Sequence, residues 1–257
     1  LITLDDGALI STQDSEPPIL ILKRDGTYLY MTTDLATVLD REKSVSPDFY
    51  FYIVDSRQGE HFKQLFSSVK YFTFSNSNFE HIGFGTINDS EGKPFKTRKG
   101  DFYPLEDLWN DIFNILSEKN DSNTAHILTN SVLVFSDLVI DRRSNYKFDI
   151  NKFTNVEVKT AIYLQYTRVR IKSILENAKA TKYIDDTSEN NISNTEEDLI
   201  ISILKFSEVF KRARKLNEPH HLAEYVYEVC KKFNTRYKDI RIIRDDTCII
   251  YTSTSTR

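Results

Sequence analysis

Cysteine, glycine and proline are scarce in this chain, and each scarcity excludes something. The 257 residues include two cysteines, seven glycines, six prolines, one methionine and one tryptophan. Cys230 and Cys248 fit no CxxC spacing, so neither a structural zinc site nor a disulfide framework is expected, and a reducing, cytoplasmic setting is. No apolar run approaches the ~20 residues needed to span a bilayer, so no membrane partner is expected. Residues 1–10 lack the basic start, apolar centre and small-residue cleavage site of a secretory signal. Leu1 stands where Met would, so the natural N-terminus is expected to lie outside this sequence.

Net charge is also small, at −4, but it is unevenly divided. Residues 1–119 carry 12 Lys/Arg against 19 Asp/Glu, net −7, and residues 120–257 carry 22 against 19, net +3. A basic second half permits phosphate contacts, the electrostatic footprint of nucleic-acid binding, without demanding them. A solvated helix surface would give the same count.

The scarce residues also mark a change of architecture. Every glycine lies at or before Gly100, and only Pro219 of the prolines lies beyond Pro104. Before that point, short apolar runs at residues 19–22, 50–54, 71–74 and 81–84 alternate with helical patterns at 35–41 and 59–68, which predicts an α/β domain with a parallel sheet. After it the apolar period becomes helical. Leu199, Ile203, Phe206, Phe210 and Ala213 form one row, and Leu222, Tyr225, Val226, Val229 and Phe233 another; both are expected to face a core. Asn194 and Glu197 have capping-box spacing, and Pro219 suits the first turn of a helix. Residues 185–194 read as an exposed connector within a helical bundle. The expected domains are therefore 1–119, α/β, and 120–257, all-α.

Chemistry concentrates in GKPFKTRKG, residues 92–100, where Lys93, Lys96, Arg98 and Lys99 stand between Gly92 and Gly100 and beside Pro94. Such punctuation favours an irregular cationic loop over a packed element. Positioned cations of this kind stabilise charge that develops on a transferring phosphoryl group; a solvated basic turn is the plainer reading. Followed by PLEDLWNDI from Pro104, the loop resembles the KMSKS-like signature loop of class I aminoacyl-tRNA synthetases in its arginyl variant. HIGFGTIN, with His81 and Gly85, is similar to the segment that precedes that loop. HIGF is not the HIGH motif of the class, which belongs far upstream, and no other candidate for HIGH is present.

DGTYLYMTTD (25–34) and DSRQGEHFKQLF (55–66) match the arginyl-tRNA synthetase pattern in order and separation. The resemblance implies that Tyr30, Asp34 and Gln58 bind the arginine side chain, and the residue types suit this, because a planar guanidinium is best met by a carboxylate with neutral acceptors beside it. The bland alternative makes Thr33 or Asp34 a helix N-cap and Tyr30 a strand aromatic. The resemblance further implies that His61, His81, Gly85, Lys93, Lys96 and Arg98 serve ATP, and that Lys96, Arg98 and Lys99 act in catalysis. A His61 satisfied within the core is the competing reading.

YKFDI, YLQY, RVRIKSIL and NEPHHLAEYVYEV resemble the anticodon-binding domain of the same family. Its tRNA contacts would come from Arg142, Arg143, Lys211, Arg212, Arg214, Lys215 and Arg236, with aromatics stacking on unpaired bases. Two departures stand out. Val158, Lys159, Thr160, Ala161 and Ile162 replace a Gly-rich approach to YLQY and are expected to give a straighter helix entry, and DDTCIIYTSTSTR does not continue as the family's last helix. The implied fold is the C-terminal part of a Rossmann-like catalytic domain followed by a helical-bundle anticodon-binding domain. The implied activity is that of an arginine–tRNA ligase, with ATP as its Mg²⁺ complex, arginine and tRNA-Arg as substrates, no prosthetic group, no metal ligands and a monomeric state. This chain alone is expected to be inactive without the HIGH-bearing half. A truncated, non-catalytic paralogue that binds tRNA or acts as a regulator is the alternative.

Overall fold

The structure, a computed structural model, describes residues 2–6, 8–13, 16–88, 104–155, 159–179, 182–184, 193–239, 243–244 and 247–249. It divides into two compact units, Leu1–Thr86 and Ile87–Arg257.

The first unit opens with an antiparallel meander of β1 (Ile2–Asp5), β2 (Ala8–Gln13) and β3 (Glu16–Leu22). Pro17 and Pro18, which cannot donate to a ladder, lie in β3 at the edge of this sheet. Helix α1 (Tyr30–Ser44) leads to β4 (Phe49–Asp55), α2 (Gly59–Tyr71) and β5 (Asn78–Phe84). Strands β4 and β5 are parallel and in register from Phe49 against Asn78 to Asp55 against Phe84, so β4–α2–β5 is a crossover unit. Parallel pairing is thus present, in two strands, beside an antiparallel sheet that the sequence pattern does not reveal.

Apolar spacing explains the packing. Met31, Leu35 and Val38 on α1 and Phe62, Leu65 and Val69 on α2 recur at helical intervals and bury together with Ile19 and Tyr50. Glu42, near the end of α1, accepts hydrogen bonds from the hydroxyls of Ser75 (2.5 Å), Ser77 (3.0 Å) and Tyr50 (3.0 Å), tying α1 to the approach of β5. The run at 71–74 is not the expected strand. It ends α2 instead: Thr73 takes a left-handed φ of 52° while the Phe74 N–H donates to the Val69 carbonyl at 3.0 Å.

The second unit contains β6 (Ile87–Asn88), α3 (Leu105–Ser117), α4 (Ser122–Leu138), β7 (Tyr146–Lys147), α5 (Ile150–Phe153), α6 (Ala161–Lys179), β8 (Lys182–Ile184), α7 (Asn194–Leu204), α8 (Phe206–Leu216), α9 (His220–Asp239), β9 (Ile243–Arg244) and β10 (Thr247–Ile249). Ile112 and Leu116 of α3 pack into the same buried cluster as Ala125 and Val132 of α4. Strand β10 pairs parallel to β8 and antiparallel to β9, which adds a small sheet to the expected bundle.

Three local expectations shift. The capping box of α7 is Ser193 with Glu196, one residue before the predicted pair. The row from Leu199 to Ala213 does not form one core stripe, because the chain breaks at Lys205 between α7 and α8; Ile203, Phe206 and Phe210 are exposed while Ala213 is buried. Nor is the entry to α6 straight: Lys159 and Thr160 form a bend, with the Thr160 hydroxyl donating to the Asn155 carbonyl at 2.6 Å before α6 begins at Ala161. The connector at 185–192 lies outside the described residues. No described helix is long and apolar enough to cross a membrane.

Candidate functional site

Residues flanking the buried rows of α1 and α2 form the site. Asp34 precedes Leu35 and His61 precedes Phe62, so packing of the two apolar rows leaves both polar side chains at the rim, 34% and 30% exposed. There the Asp34 Oδ2 and His61 Nε2 meet at 2.7 Å. Asp34 is not an N-cap: Leu29 holds that position, without a side-chain cap, and Asp34 lies one turn inside the helix. Tyr30 is the first residue of α1 rather than a strand residue, 86% exposed, and its i,i+4 spacing puts it on the same helix face as Asp34. His61 is half-buried, packed edge-on against Phe62 and bonded to Asp34.

Beneath this pair, β4 and β5 contribute Tyr52 and His81, which are register partners. The Tyr52 hydroxyl and His81 Nε2 are buried and lack a hydrogen-bond partner among the described residues. An unsatisfied buried polar atom costs about 1–3 kcal/mol, so such atoms are rare outside functional sites. Burial pushes the Tyr52 phenol up; Arg41 opposes this and the Asp34 carboxylate adds to it, which sets Asp34 within the electrostatic reach of that hydroxyl. Phe62 links the two imidazoles, edge-on to His61 at 5.1 Å and stacked on His81 at 5.3 Å.

Gln58 is exposed, at the turn that starts α2. That turn is held by hydrogen bonds. Asp55 accepts from the Arg57 side chain and backbone N–H, and these bonds hold its carboxyl down to about 2. The Ser56 hydroxyl donates to the Phe84 carbonyl at 3.0 Å. Gly83 is needed for this approach, because a Cβ there would lie 2.9 Å from Ser56 Oγ and 3.2 Å from Ser56 Cα. His81 lies midway along β5, and Gly85 directly follows the strand. Lys93, Lys96, Arg98 and Lys99 lie outside the described residues.

The basic residues of the second unit separate into two groups. Arg236 pairs with Glu196, Arg143 with both Asp141 (2.8 Å) and Glu218 (3.0 Å), and the Arg142 Nε donates to the Asn217 carbonyl at 2.9 Å. These three charges are engaged within the fold. Lys211, Arg212, Arg214 and Lys215 are exposed along α8, whose last turn is closed by left-handed Asn217 (φ 51°). Cations near a helix C-terminus are also favoured by its dipole, so their position has a structural cause independent of any ligand.

Sequence reasoning missed Arg170. Its guanidinium lies 4.5 Å from the ring centres of both Tyr166 and Tyr237 and donates to Asn234, whose amide donates to the buried Thr167 hydroxyl at 2.7 Å. Only the Tyr166–Arg170 spacing is visible along the chain. Among the described residues, Glu218, His220 and His221 bring ligand atoms within 4.8 Å of one another. Within this group Glu218 pairs with Arg143 and with His221, each at 3.0 Å.

Residues 1–150 match the family model for tRNA synthetases class I (R), catalytic domain, and residues 164–252 match the DALR anticodon binding domain. The arginine–tRNA ligase of Francisella tularensis subsp. novicida (strain U112) is 36% identical over 256 residues, covering 94% of this chain and 44% of that protein. The arginine–tRNA ligase of Rhodopirellula baltica is 32% identical over 287 residues, covering 98% and 42%. Among solved structures, arginyl-tRNA synthetase from Plasmodium falciparum aligns with a TM-score of 0.75 at 24% identity, covering 96% of this chain and 44% of that one. The Thermus thermophilus arginyl-tRNA synthetase gives 0.71 at 20%, covering 91% and 46%. The chain therefore spans less than half the length of these relatives.

Proposed function

Because the chain belongs to the class I arginyl-tRNA synthetase family, we propose that it supplies the arginine-reading half-site, the phosphate loop and the anticodon-binding domain of an arginine–tRNA ligase. The observation that carries this reading is Asp34: a carboxylate at the rim of α1, on one helix face with Tyr30, and one whose charge acts on a buried Tyr52 hydroxyl that has no hydrogen-bond partner among the described residues. An anion with neutral oxygen partners is the arrangement a guanidinium requires, since a forked donor set is satisfied by two carboxylate oxygens and the ammonium of lysine is not matched as well. Gln58 on the adjacent turn completes the arginine set.

His81 within β5 and Gly85 just after it precede Lys93, Lys96 and Arg98, and together these meet ATP, the cations at its phosphates. Lys96, Arg98 and Lys99 stabilise charge on the leaving pyrophosphate as arginine carboxylate attacks the α-phosphorus. Mg²⁺ enters with ATP as part of the substrate. The arginyl group then passes from the adenylate to the terminal ribose of tRNA-Arg, which the second unit binds through Lys211, Arg212, Arg214 and Lys215. The working protein is a cytoplasmic monomer in this reading.

Arginine-dependent pyrophosphate exchange by the complete gene product tests it. Replacing Asp34 with Ala leaves the substrate guanidinium without its anion, at a cost of about 2–5 kcal/mol, so kcat/KM for arginine should fall roughly thirtyfold or more. An Asp34→Ala protein with unchanged arginine KM and kcat would show that the pocket lies elsewhere.

A further inference from the structure

Asp34 and His61 lie 27 positions apart, and the family resemblance gives them different ligands, yet in the fold they are hydrogen-bonded at 2.7 Å. An ionised carboxylate only accepts, so the imidazole donates its Nε2–H to Oδ2. Asp34 retains Oδ1 and the remaining lone pair of Oδ2. The imidazole itself is held from behind: Phe62 is buried, meets His61 edge-on at 5.1 Å, and is fixed in turn by stacking on His81. The bond therefore runs from the buried aromatic layer of α2 and β5 out to one carboxylate oxygen on α1.

A carboxylate a third exposed at a helix surface is free to rotate unless something fixes it, and a forked guanidinium is bound well only when both oxygens present a defined edge. We propose that His61 is a positioning residue for arginine recognition, holding the Asp34 carboxylate so that its unbonded edge faces the guanidinium, and is not a nucleotide contact. This rests on the assignment of Asp34 to the arginine side chain. It explains why a polar ring is packed at the first turn of α2: a donor is needed there whose direction is set by a rigid plane rather than by a flexible chain.

Pyrophosphate exchange by the complete gene product, with arginine and ATP varied separately, tests the proposal in His61→Ala, His61→Gln and Asp34→Ala proteins. His61→Ala should raise the arginine KM about tenfold, leave the ATP KM unchanged and alter kcat less than about twofold. His61→Gln should recover most of the loss, because its amide N–H can occupy the place of Nε2–H. A raised ATP KM with normal arginine KM, no change in either, or failure of Gln to do better than Ala would overturn the proposal. If Asp34→Ala also leaves the arginine KM unchanged, the assignment of the pocket has failed, and this inference falls with it. A measurement without substrate covers variants that do not fold: imidazole ¹⁵N spectra of the wild-type chain should show a proton on the His61 Nε2, and an Nε2 without a proton would overturn the proposal.

Discussion

The ion pair between Glu196 and Arg236 should make the second unit measurably sensitive to acid. Glu196 is the third residue of α7 and Arg236 lies near the end of α9; their side chains are 14% and 11% exposed, so the pair is largely shielded from water. Burial alone pushes the Glu196 carboxyl up. The Arg236 guanidinium, with the Ser193 backbone N–H and hydroxyl, more than reverses this and holds it down to about 2, against an ordinary value of 4.5. A depression of that size corresponds to roughly 3 kcal/mol. Because the folded value is the lower one, this stability is complete above the unfolded pKa of 4.5 and is lost as pH falls through about 2. Arg236→Met keeps most of the side-chain volume but strands the carboxylate, so it should cost about 3 kcal/mol at pH 7. The difference from wild type should shrink to roughly 1 kcal/mol at pH 3, where the unfolded carboxyl is already protonated. Urea unfolding followed by Trp109 emission reads this directly. Trp109 is the single tryptophan, lies in the same unit, and is anchored by stacking on Phe113 and a 2.8 Å bond to Asn130. A loss under about 1 kcal/mol at pH 7, or an equal loss at both pH values, would refute the linkage.

Two further predictions concern binding and packing. Neutralising Lys211, Arg212, Arg214 and Lys215 together should weaken tRNA-Arg binding and flatten the slope of log affinity against log salt by about 3, near 0.7–0.9 for each phosphate no longer neutralised; an unchanged slope in filter binding would remove α8 from the interface. Gly83→Ala should destabilise the first unit by about 1–3 kcal/mol in denaturant unfolding followed by far-ultraviolet circular dichroism, because the new Cβ meets Ser56 Cα at 3.2 Å and that backbone cannot simply rotate away. A neutral result would mean that the turn carrying Gln58 is less tightly seated than its hydrogen bonds indicate.

Sequence periodicity reveals what depends on neighbours along the chain. The row Phe62, Leu65, Val69 is legible in GEHFKQLFSSV, and the Tyr30–Asp34 spacing already places both on one helix face. Contacts across the fold are not legible. Nothing near Asp34 announces His61, and nothing near Arg236 announces that Glu196, 40 positions earlier, neutralises it. Local ambiguity accounts for other differences. Ser193 and Asn194 are both good caps with a glutamate three residues on, so spacing alone cannot choose between them. The aromatic run at 71–74 has strand composition, but two of its rings serve to close α2: Phe72 and Phe74 stack on each other at 5.3 Å. The apolar period also runs on past Lys205, where the structure ends α7 and starts α8, so period alone does not reveal that break.

The strand FYFYIVD connects these observations to the scale of the protein. One face, Tyr50, Tyr52 and Val54, packs onto α1 and α2, while Phe49, Phe51 and Ile53 on the other face are 57%, 50% and 65% exposed. Parallel strands that are apolar on both faces are ordinarily covered on both, and relatives of which this chain spans 44% have additional polypeptide from which such cover can come. The Asp34–His61 pair does not depend on that second face. It is built by α1 and α2 against the covered side of β4 and β5, all within Leu1–Thr86. Formation of the pair therefore belongs to a core buried within the first unit, so imidazole spectra of this chain can report on it.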